Sequence, residues 1–127
     1  MHPTPRCVVI DHDPDFLEQV KRCLASTWRD CEVISFRSSV DAVEFIRQRR
    51  VDLILTAYLV PAIDGLQLIR LVRSFDPRVP ILMLSSVPVK AAALAQGATA
   101  FLAKSTLWRR LDTVLARVRD HRIAQPA

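Results

Sequence analysis

The sequence predicts an α/β domain with a parallel sheet that is covered by helices on both faces. Two patterns predict this fold: short apolar runs alternate five times with helical patterns, and the connections between them are short. The chain has 127 residues, half of them apolar. This length and composition are typical of one folded unit, so we expect residues 1–127 to form a single domain.

The first unit begins with an apolar strand at residues 7–10, as expected for a buried parallel strand. Asp13 follows as a helix N-cap, and Pro14 occupies the first helical position. The predicted inner face of this helix consists of Phe16, Val20, Cys23 and Leu24.

The second and third strands are predicted at residues 32–36 and 51–56. Ser38, with Asp41 three residues later, has the spacing of a capping box. The helix that Ser38 begins is predicted to bury Val40, Val43 and Ile46. A third helix, at residues 66–74, is predicted to face inward through Leu68, Ile69 and Val72.

The fourth strand is predicted at residues 81–85 and the fifth at 100–103. An alanine-rich helix at 88–96 lies between them, and Gly97 ends it in the C′ role. The last helix is predicted from residue 107 to about residue 122. Its inward face consists of Leu107, Leu111, Val114, Leu115 and Val118.

Composition favours a cytoplasmic protein without a membrane segment. No run approaches the ~18 apolar residues of a membrane span. The basic N-terminus is followed by only four apolar residues, 7–10, too few for a signal peptide. The three cysteines, Cys7, Cys23 and Cys31, form an odd set without CxxC spacing, which favours reduced thiols over a disulfide framework.

Four stretches in register resemble the receiver domain of two-component response regulators, over about residues 7–120. They are VVIDHDPDF after the first strand, VDLILTAYLVPAIDG around the third, ILMLS at the fourth and GATAFLAK at the fifth. The resemblance implies a CheY-like, flavodoxin-like sheet of order 2-1-3-4-5. Ligands of such sheets bind beyond the carboxyl ends of the strands, at the switch point between the first and third.

The resemblance assigns five positions to the family's phosphorylation pocket, and it adds Phe101 as a switch-like residue together with Ser85. Asp11 and His12 stand at the two metal-site acids, Ala57 at the phosphoacceptor aspartate, Ser85 at the switch serine or threonine, Phe101 at the aromatic switch position, and Lys104 at the invariant-type lysine.

Two requirements of phosphoryl transfer are missing from this pocket. A nucleophile needs a positioned lone pair, and the methyl group of Ala57 has none. His12 replaces a carboxylate, although Mg²⁺ prefers oxygen ligands. We therefore expect weak or absent Mg²⁺ binding and no cofactor. Asp11 and His12 are two candidate ligands for a transition metal, fewer than the three or four that Zn²⁺ requires, so no metal site is expected.

Each retained residue also has a purely structural interpretation. Lys104 could pair with Asp11 and hold the pocket together, and Ser85 could serve as a small polar residue at a strand end. Asp13 is expected to cap its helix. The alternative is that Asp11 or Asp13 acts as a substitute phosphoacceptor.

Two departures from the family pattern concern the loops. Ser105 replaces the proline that usually follows the lysine, so we expect a trans Lys104–Ser105 peptide bond. Only eleven residues separate Ser85 from Gly97. The fourth helix or the loop before it should therefore be shortened, which would alter the face that the family uses for output.

The net charge of +5 is concentrated in two places. One is the last helix region, and the other is formed by Arg47, Arg49 and Arg50. Such clusters could contact nucleic acid, but basic residues also complement helix C-termini. Because the chain has no recognition-helix motif and no aromatic stacking set, we favour a solvated face and expect no nucleic-acid binding.

The sequence therefore predicts a pseudo-receiver, a protein-interaction module that works without phosphorylation and is not an enzyme. The expected partner is another signalling protein: a histidine kinase, a regulator or an effector. Its predicted interaction surface includes Phe101, Trp108 and Arg109, and the last helix region could also form a homodimer. The final residues, 123–127, leave no room for an effector domain within this chain and could equally begin a linker.

Overall fold

Five parallel strands form the centre of the computed structural model, which describes residues 3–124 and the side chains of residues 3–122. The strands are β1 (Arg6–Ile10), β2 (Glu32–Phe36), β3 (Leu53–Thr56), β4 (Ile81–Ser85) and β5 (Ala100–Ala103). The helices are α1 (Pro14–Thr27), α2 (Ser39–Gln48), α3 (Gly65–Phe75), α4 (Lys90–Gln96) and α5 (Leu107–Ala124).

The strand order is β2-β1-β3-β4-β5, which confirms the predicted fold class. β1 lies between β2 and β3, and Ile10 is opposite Phe36 on one side and Thr56 on the other. Because all strands are parallel, their carboxyl ends meet at one edge of the sheet. Residues that follow β1, β3, β4 and β5 are thereby brought together.

Apolar side chains fill both faces of the sheet. Val8, Ile10 and Ile54 pack against α2, α3 and α4. Val9 and Leu55, on the opposite face, pack against α1 and α5. This division follows from the alternation of side chains along a strand, and it explains why the central strands are apolar throughout.

The helix caps agree with most of the sequence predictions. Asp13 accepts a hydrogen bond from the Asp15 backbone N–H, and Ser38 accepts one from that of Asp41. Gly97 ends α4 with a φ of 112°, the left-handed conformation that favours glycine. A complete capping box, which was not predicted, begins α3, where Asp64 and Gln67 bond to each other's backbone N–H.

Val40 is the clearest error among the predicted core residues, since 48% of its surface is exposed. The helix turns about 100° per residue, so burial of Ser39, Ala42 and Ile46 leaves Val40 at the border of the inner face. Leu17, which was not among the predicted core residues, is buried beside Phe16. β3 begins at Leu53, two residues later than predicted.

α4 is the short element predicted from the spacing of Ser85 and Gly97. It contains 7 residues, whereas the other helices in the described part of the chain have 10 to 18. The Lys104–Ser105 peptide bond is trans, as expected, and residues 3–124 include no cis bond. No helix in the described residues is long and apolar enough to cross a bilayer.

Cys7 and Cys31 form a disulfide, so the expectation of reduced thiols is wrong for this pair. Alternate residues of neighbouring strands point to the same face. Cys7 lies opposite Val33, and Cys31, two residues before Val33, is therefore directed to the side of the sheet on which Cys7 lies. The pairing depends on this register, which spacing alone does not reveal. Cys23 is a free thiol; burial raises its pKa, an effect opposed by a hydrogen bond with Thr27.

Candidate functional site

A small cleft lies at the carboxyl edge of the sheet, where the predicted pocket residues meet. Its volume is about 60 Å³, and its lining includes His12, Ala57, Ser85 and Lys104. Each of these residues comes at or just after the end of a strand, which is why residues distant in sequence share one site. Larger clefts elsewhere contain none of the predicted pocket residues.

An ion pair between Lys104 and Asp11 forms the centre of this pocket. The Lys104 Nζ lies 2.8 Å from the Asp11 Oδ2. Asp11 is 1% exposed, and its Oδ1 accepts a hydrogen bond from the Asp13 backbone N–H at 3.0 Å. Both carboxylate oxygens therefore have donors, as a buried charge requires.

Phe16 forms part of the site but was predicted only as a core residue. The Lys104 Nζ lies 4.0 Å from the centroid of its ring. An ammonium group over a ring face is stabilised by the ring's negative potential. Phe16 thus helps to direct Lys104 toward Asp11. The sequence signal was weak, since Phe16 had the spacing of an ordinary inner-face residue.

Ala57 stands directly after β3 and is 5% exposed. Its backbone N–H donates to the Ile10 carbonyl at 2.9 Å, which continues the pairing of β3 with β1. Gly65, at the start of α3, packs so closely that a Cβ there would collide with the Ala57 carbonyl oxygen. The backbone around position 57 is therefore held on two sides.

The pocket's donor set does not fit Mg²⁺. Asp11 supplies its one carboxylate, and that group already bonds to Lys104 and to the Asp13 backbone. His12 is largely exposed, with its Nδ1 3.6 Å from the Asp11 Oδ1. A hard cation prefers several oxygen ligands. The described part of the chain contains no group of three or more His, Cys, Asp or Glu side chains placed to hold a metal.

Ser85 is 4% exposed at the end of β4. Its Oγ accepts a hydrogen bond from the Val87 backbone N–H at 2.9 Å, so the hydroxyl stabilises the turn that leaves the strand. Phe101 is half-buried and packs against the core layer that the sheet forms with α2, α3 and α4. The two positions that resemble the family's switch pair thus contribute a turn hydrogen bond and core packing.

The predicted interaction surface begins beside the pocket. Trp108, in the first turn of α5, is 45% exposed, and its ring centroid lies 5.8 Å from that of Phe16. Arg109 is exposed next to it. Phe101 and Trp108 lie in different layers of the core, because Phe101 packs with α2, α3 and α4 while Trp108 contacts α1. Leu59, exposed at the mouth of the pocket, was not predicted.

A family model described as the response regulator receiver domain matches residues 7–116. This chain belongs to the receiver domain family. The receiver domain is 32% identical over 117 residues to response regulator MprA of Mycobacterium sp. (strain KMS), covering 90% of this chain and 49% of MprA. It is 26% identical over 121 residues to the transcriptional regulatory protein GlrR of Escherichia coli (strain K12), covering 90% of this chain and 27% of GlrR.

Solved receiver domains have the same fold. The receiver domain of NarL from Mycobacterium tuberculosis is 31% identical, with a TM-score of 0.77 over 92% of this chain and 98% of that one. A receiver domain from an HD domain-containing protein of Pseudomonas fluorescens Pf-5 is 20% identical, with a TM-score of 0.85 over 97% of this chain and 100% of that one. The chain spans about half the length of MprA, or less in the case of GlrR.

Proposed function

We propose that this receiver domain works as a phosphorylation-independent interaction module in two-component signalling. The observation that supports the proposal is the methyl group of Ala57, at the position to which the resemblance assigns the phosphoacceptor aspartate. Without a nucleophile at this position, a phosphoryl donor has no acceptor. In this proposal the domain acts in the cytoplasm and catalyses no reaction.

The Lys104–Asp11 pair supports a pocket that is stable without metal or phosphate. One ammonium and one carboxylate balance each other at 2.8 Å, so this buried ion pair carries no net charge. A pocket with several carboxylates would need a cation to offset their repulsion. We infer that this domain keeps one conformation in the absence of both ligands.

The alternative, phosphorylation of a substitute aspartate, is less well supported. Asp11 is buried and paired with Lys104, which makes it a poor nucleophile. The Asp13 carboxylate is occupied as the cap of α1, where it accepts the Asp15 backbone N–H at 3.0 Å. Either residue would have to give up these bonds before it could attack phosphorus.

The proposed partner is another signalling protein, a histidine kinase, a regulator or an effector, and the proposed contact region includes Phe101, Trp108 and Arg109. Trp108 has the properties of an interface anchor because nearly half of this large aromatic side chain is exposed, while its ring also packs against the ring of Phe16. A homodimer through this last helix region is a second arrangement that the same exposed tryptophan would permit.

The test is intact mass spectrometry after incubation with acetyl phosphate and Mg²⁺. We expect the wild type to gain no phosphoryl group. The Ala57→Asp variant, treated in parallel, would show whether the rest of the pocket still supports transfer. If the wild type gains the mass of a phosphoryl group, the proposal is wrong, and peptide mapping would then examine Asp11, Asp13 and His12.

A further inference from the structure

Exposed apolar side chains concentrate along the line where α2 and α3 meet, which we call the α2–α3 seam. Val40 on α2 is 48% exposed, and Leu71 and Phe75 on α3 are each 38% exposed. The other large exposed apolar residues, Leu59, Leu94 and Trp108, are dispersed over the pocket mouth, α4 and α5. Contiguous exposed apolar surface is a mark of an interaction site.

Contacts at both ends of the seam show that the two helices run side by side in the same direction. At their beginnings, the Ser39 Oγ donates to the Pro61 carbonyl and accepts the Ile63 N–H. At their ends, the Arg47 guanidinium lies 5.3 Å from the centroid of the Phe75 ring. Val40 and Arg47 are two turns apart on α2, so they lie on the same side of the helix, facing α3.

The exposed charges of the two helices differ: α2 exposes two carboxylates in its first two turns and Arg47 near its end, whereas α3 exposes a basic residue. α2 exposes the carboxylates of Asp41 and Glu44, one turn apart. The exposed residues of α3 include one charged side chain, Arg70, beside Leu71. No ion pair within the described residues occupies Arg70 or Asp41. The beginning of α2 is therefore acidic and lies across the seam from the basic Arg70 of α3, while Arg47 adds a positive charge at the far end of the seam.

This pattern is complementary to itself. A two-fold axis that runs along the seam would place α2 of one molecule against α3 of the other. Glu44 of each copy would then face Arg70 of its partner, and the apolar residues of both copies would meet near the axis. An isologous contact of this kind forms both ion pairs at once. A partner with a uniform charge would match one half of the surface and be repelled by the other.

We propose that the α2–α3 seam is a homodimer interface, with a second copy of this chain as its occupant. The α2–α3 seam and Trp108 lie on opposite sides of the sheet. Both surfaces could therefore be used at the same time.

Sedimentation equilibrium of the chain over a wide concentration range would test the proposal. The wild type is expected to self-associate reversibly, and Leu71→Asp to weaken self-association roughly tenfold or more, because it places a charge in the apolar centre. Leu94→Asp on α4 is the matched control, since Leu94 is similarly exposed but lies away from the seam. It should leave the equilibrium unchanged.

A charge exchange separates a second copy from any other occupant. Glu44→Arg and Arg70→Glu should each weaken the dimer, because each places like charges opposite one another. The double variant Glu44→Arg with Arg70→Glu should restore it. Circular dichroism and urea unfolding of each variant would establish that the fold is intact.

Three results would overturn the proposal. The first is a wild type that remains monomeric at the highest concentration. The second is a dimer that persists in Leu71→Asp but dissociates in Trp108→Asp, which would assign the contact to the last helix region. The third is a failure of the double charge exchange to restore association when both single variants have lost it.

Discussion

Lys104 illustrates how a residue associated with phosphoryl chemistry can have a structural role. It lies over the ring of Phe16 and bonds to a carboxylate that is 1% exposed. The pair with Asp11 was predicted from the sequence because both positions follow strands that a parallel sheet brings together. The ring beneath Lys104 was not predicted, because the residue below a side chain depends on how α1 packs.

Removing Lys104 should destabilise the fold. Lys104→Met leaves the Asp11 carboxylate buried with one hydrogen bond fewer. We expect a loss of about 2 kcal/mol in the free energy of unfolding, below the usual figure for a buried pair because Lys104 is partly exposed. Urea denaturation would measure it.

The double variant Lys104→Met with Asp11→Asn is the control for that experiment. Replacing the unpaired Asp11 carboxylate by a neutral amide should recover part of the lost free energy of unfolding, as expected for two residues that interact directly. Equal stability of Lys104→Met and the wild type would mean that the pair contributes nothing.

Mg²⁺ at millimolar concentration should leave the amide resonances around Asp11 unshifted, because the pocket offers one carboxylate that is already paired. Two-dimensional NMR titration would measure this. The variant Ala57→Asp with His12→Asp restores two carboxylates and should bind the cation. Clear shifts in the wild type would show that our interpretation of the donor set is wrong.

At the scale of elements, the turn from β3 into α3 is the most constrained connection near the pocket. Gly65 donates its N–H to the Tyr58 carbonyl at 2.7 Å and lies against the Ala57 carbonyl and Met83. Ala62, in the same loop, has a φ of 73°, a left-handed conformation that L-residues other than glycine rarely adopt.

Two substitutions, one in this loop and one at the first residue of α3, should change stability in opposite directions. Gly65→Ala adds a methyl group where backbone and side chain leave no room, and we expect a loss of about 1–3 kcal/mol. Ala62→Gly relieves the left-handed alanine and should add about 0.5 kcal/mol. Thermal unfolding of both variants would test this pair, and similar effects of the two changes would contradict it.

The disulfide connects β1 to the segment just before β2, closing a loop with a sequence separation of 24. Loss of such a cross-link removes a constraint on the unfolded chain, so Cys31→Ser should lower the free energy of unfolding by up to about 3 kcal/mol. A reductant should lower the stability of the wild type to that of Cys31→Ser.

Cys23→Ser is the control for the disulfide, because Cys23 is a free thiol and the variant should respond to reductant as the wild type does. An unfolding midpoint that is unaffected by reductant in the wild type would contradict a stabilising bond. In a reducing compartment the pair would be open, and the lower stability would apply.

For the whole molecule, most of the fold was predictable because each strand and helix has a local pattern that agrees with the global topology. The order of strands came from the family resemblance, and the structure confirmed it. The errors, Val40 and the Cys7–Cys31 bond, concern positions where the rotation of a helix or the register of two strands decides the outcome. Neither quantity is present in a residue's local sequence.

Net charge is also a property of the whole molecule, and here it should not produce nucleic-acid binding. Several arginines are engaged internally, among them Arg6 with Glu32 and both Arg50 and Arg122 with Asp52. We expect no saturable binding to random duplex DNA at physiological ionic strength in fluorescence anisotropy. Tight binding that falls steeply with added salt would contradict this and favour a nucleic-acid module.

Ser39 connects the α2–α3 seam with the loop that borders the cleft at the carboxyl edge of the sheet. Its hydroxyl, fully buried, holds the loop that leaves position 57 against the first turn of α2. A partner that binds α2 and displaces its first turn would therefore also displace the loop beside the cleft. The conformation of the loop at the carboxyl edge would then depend on whether a partner is bound to α2, rather than on phosphorylation.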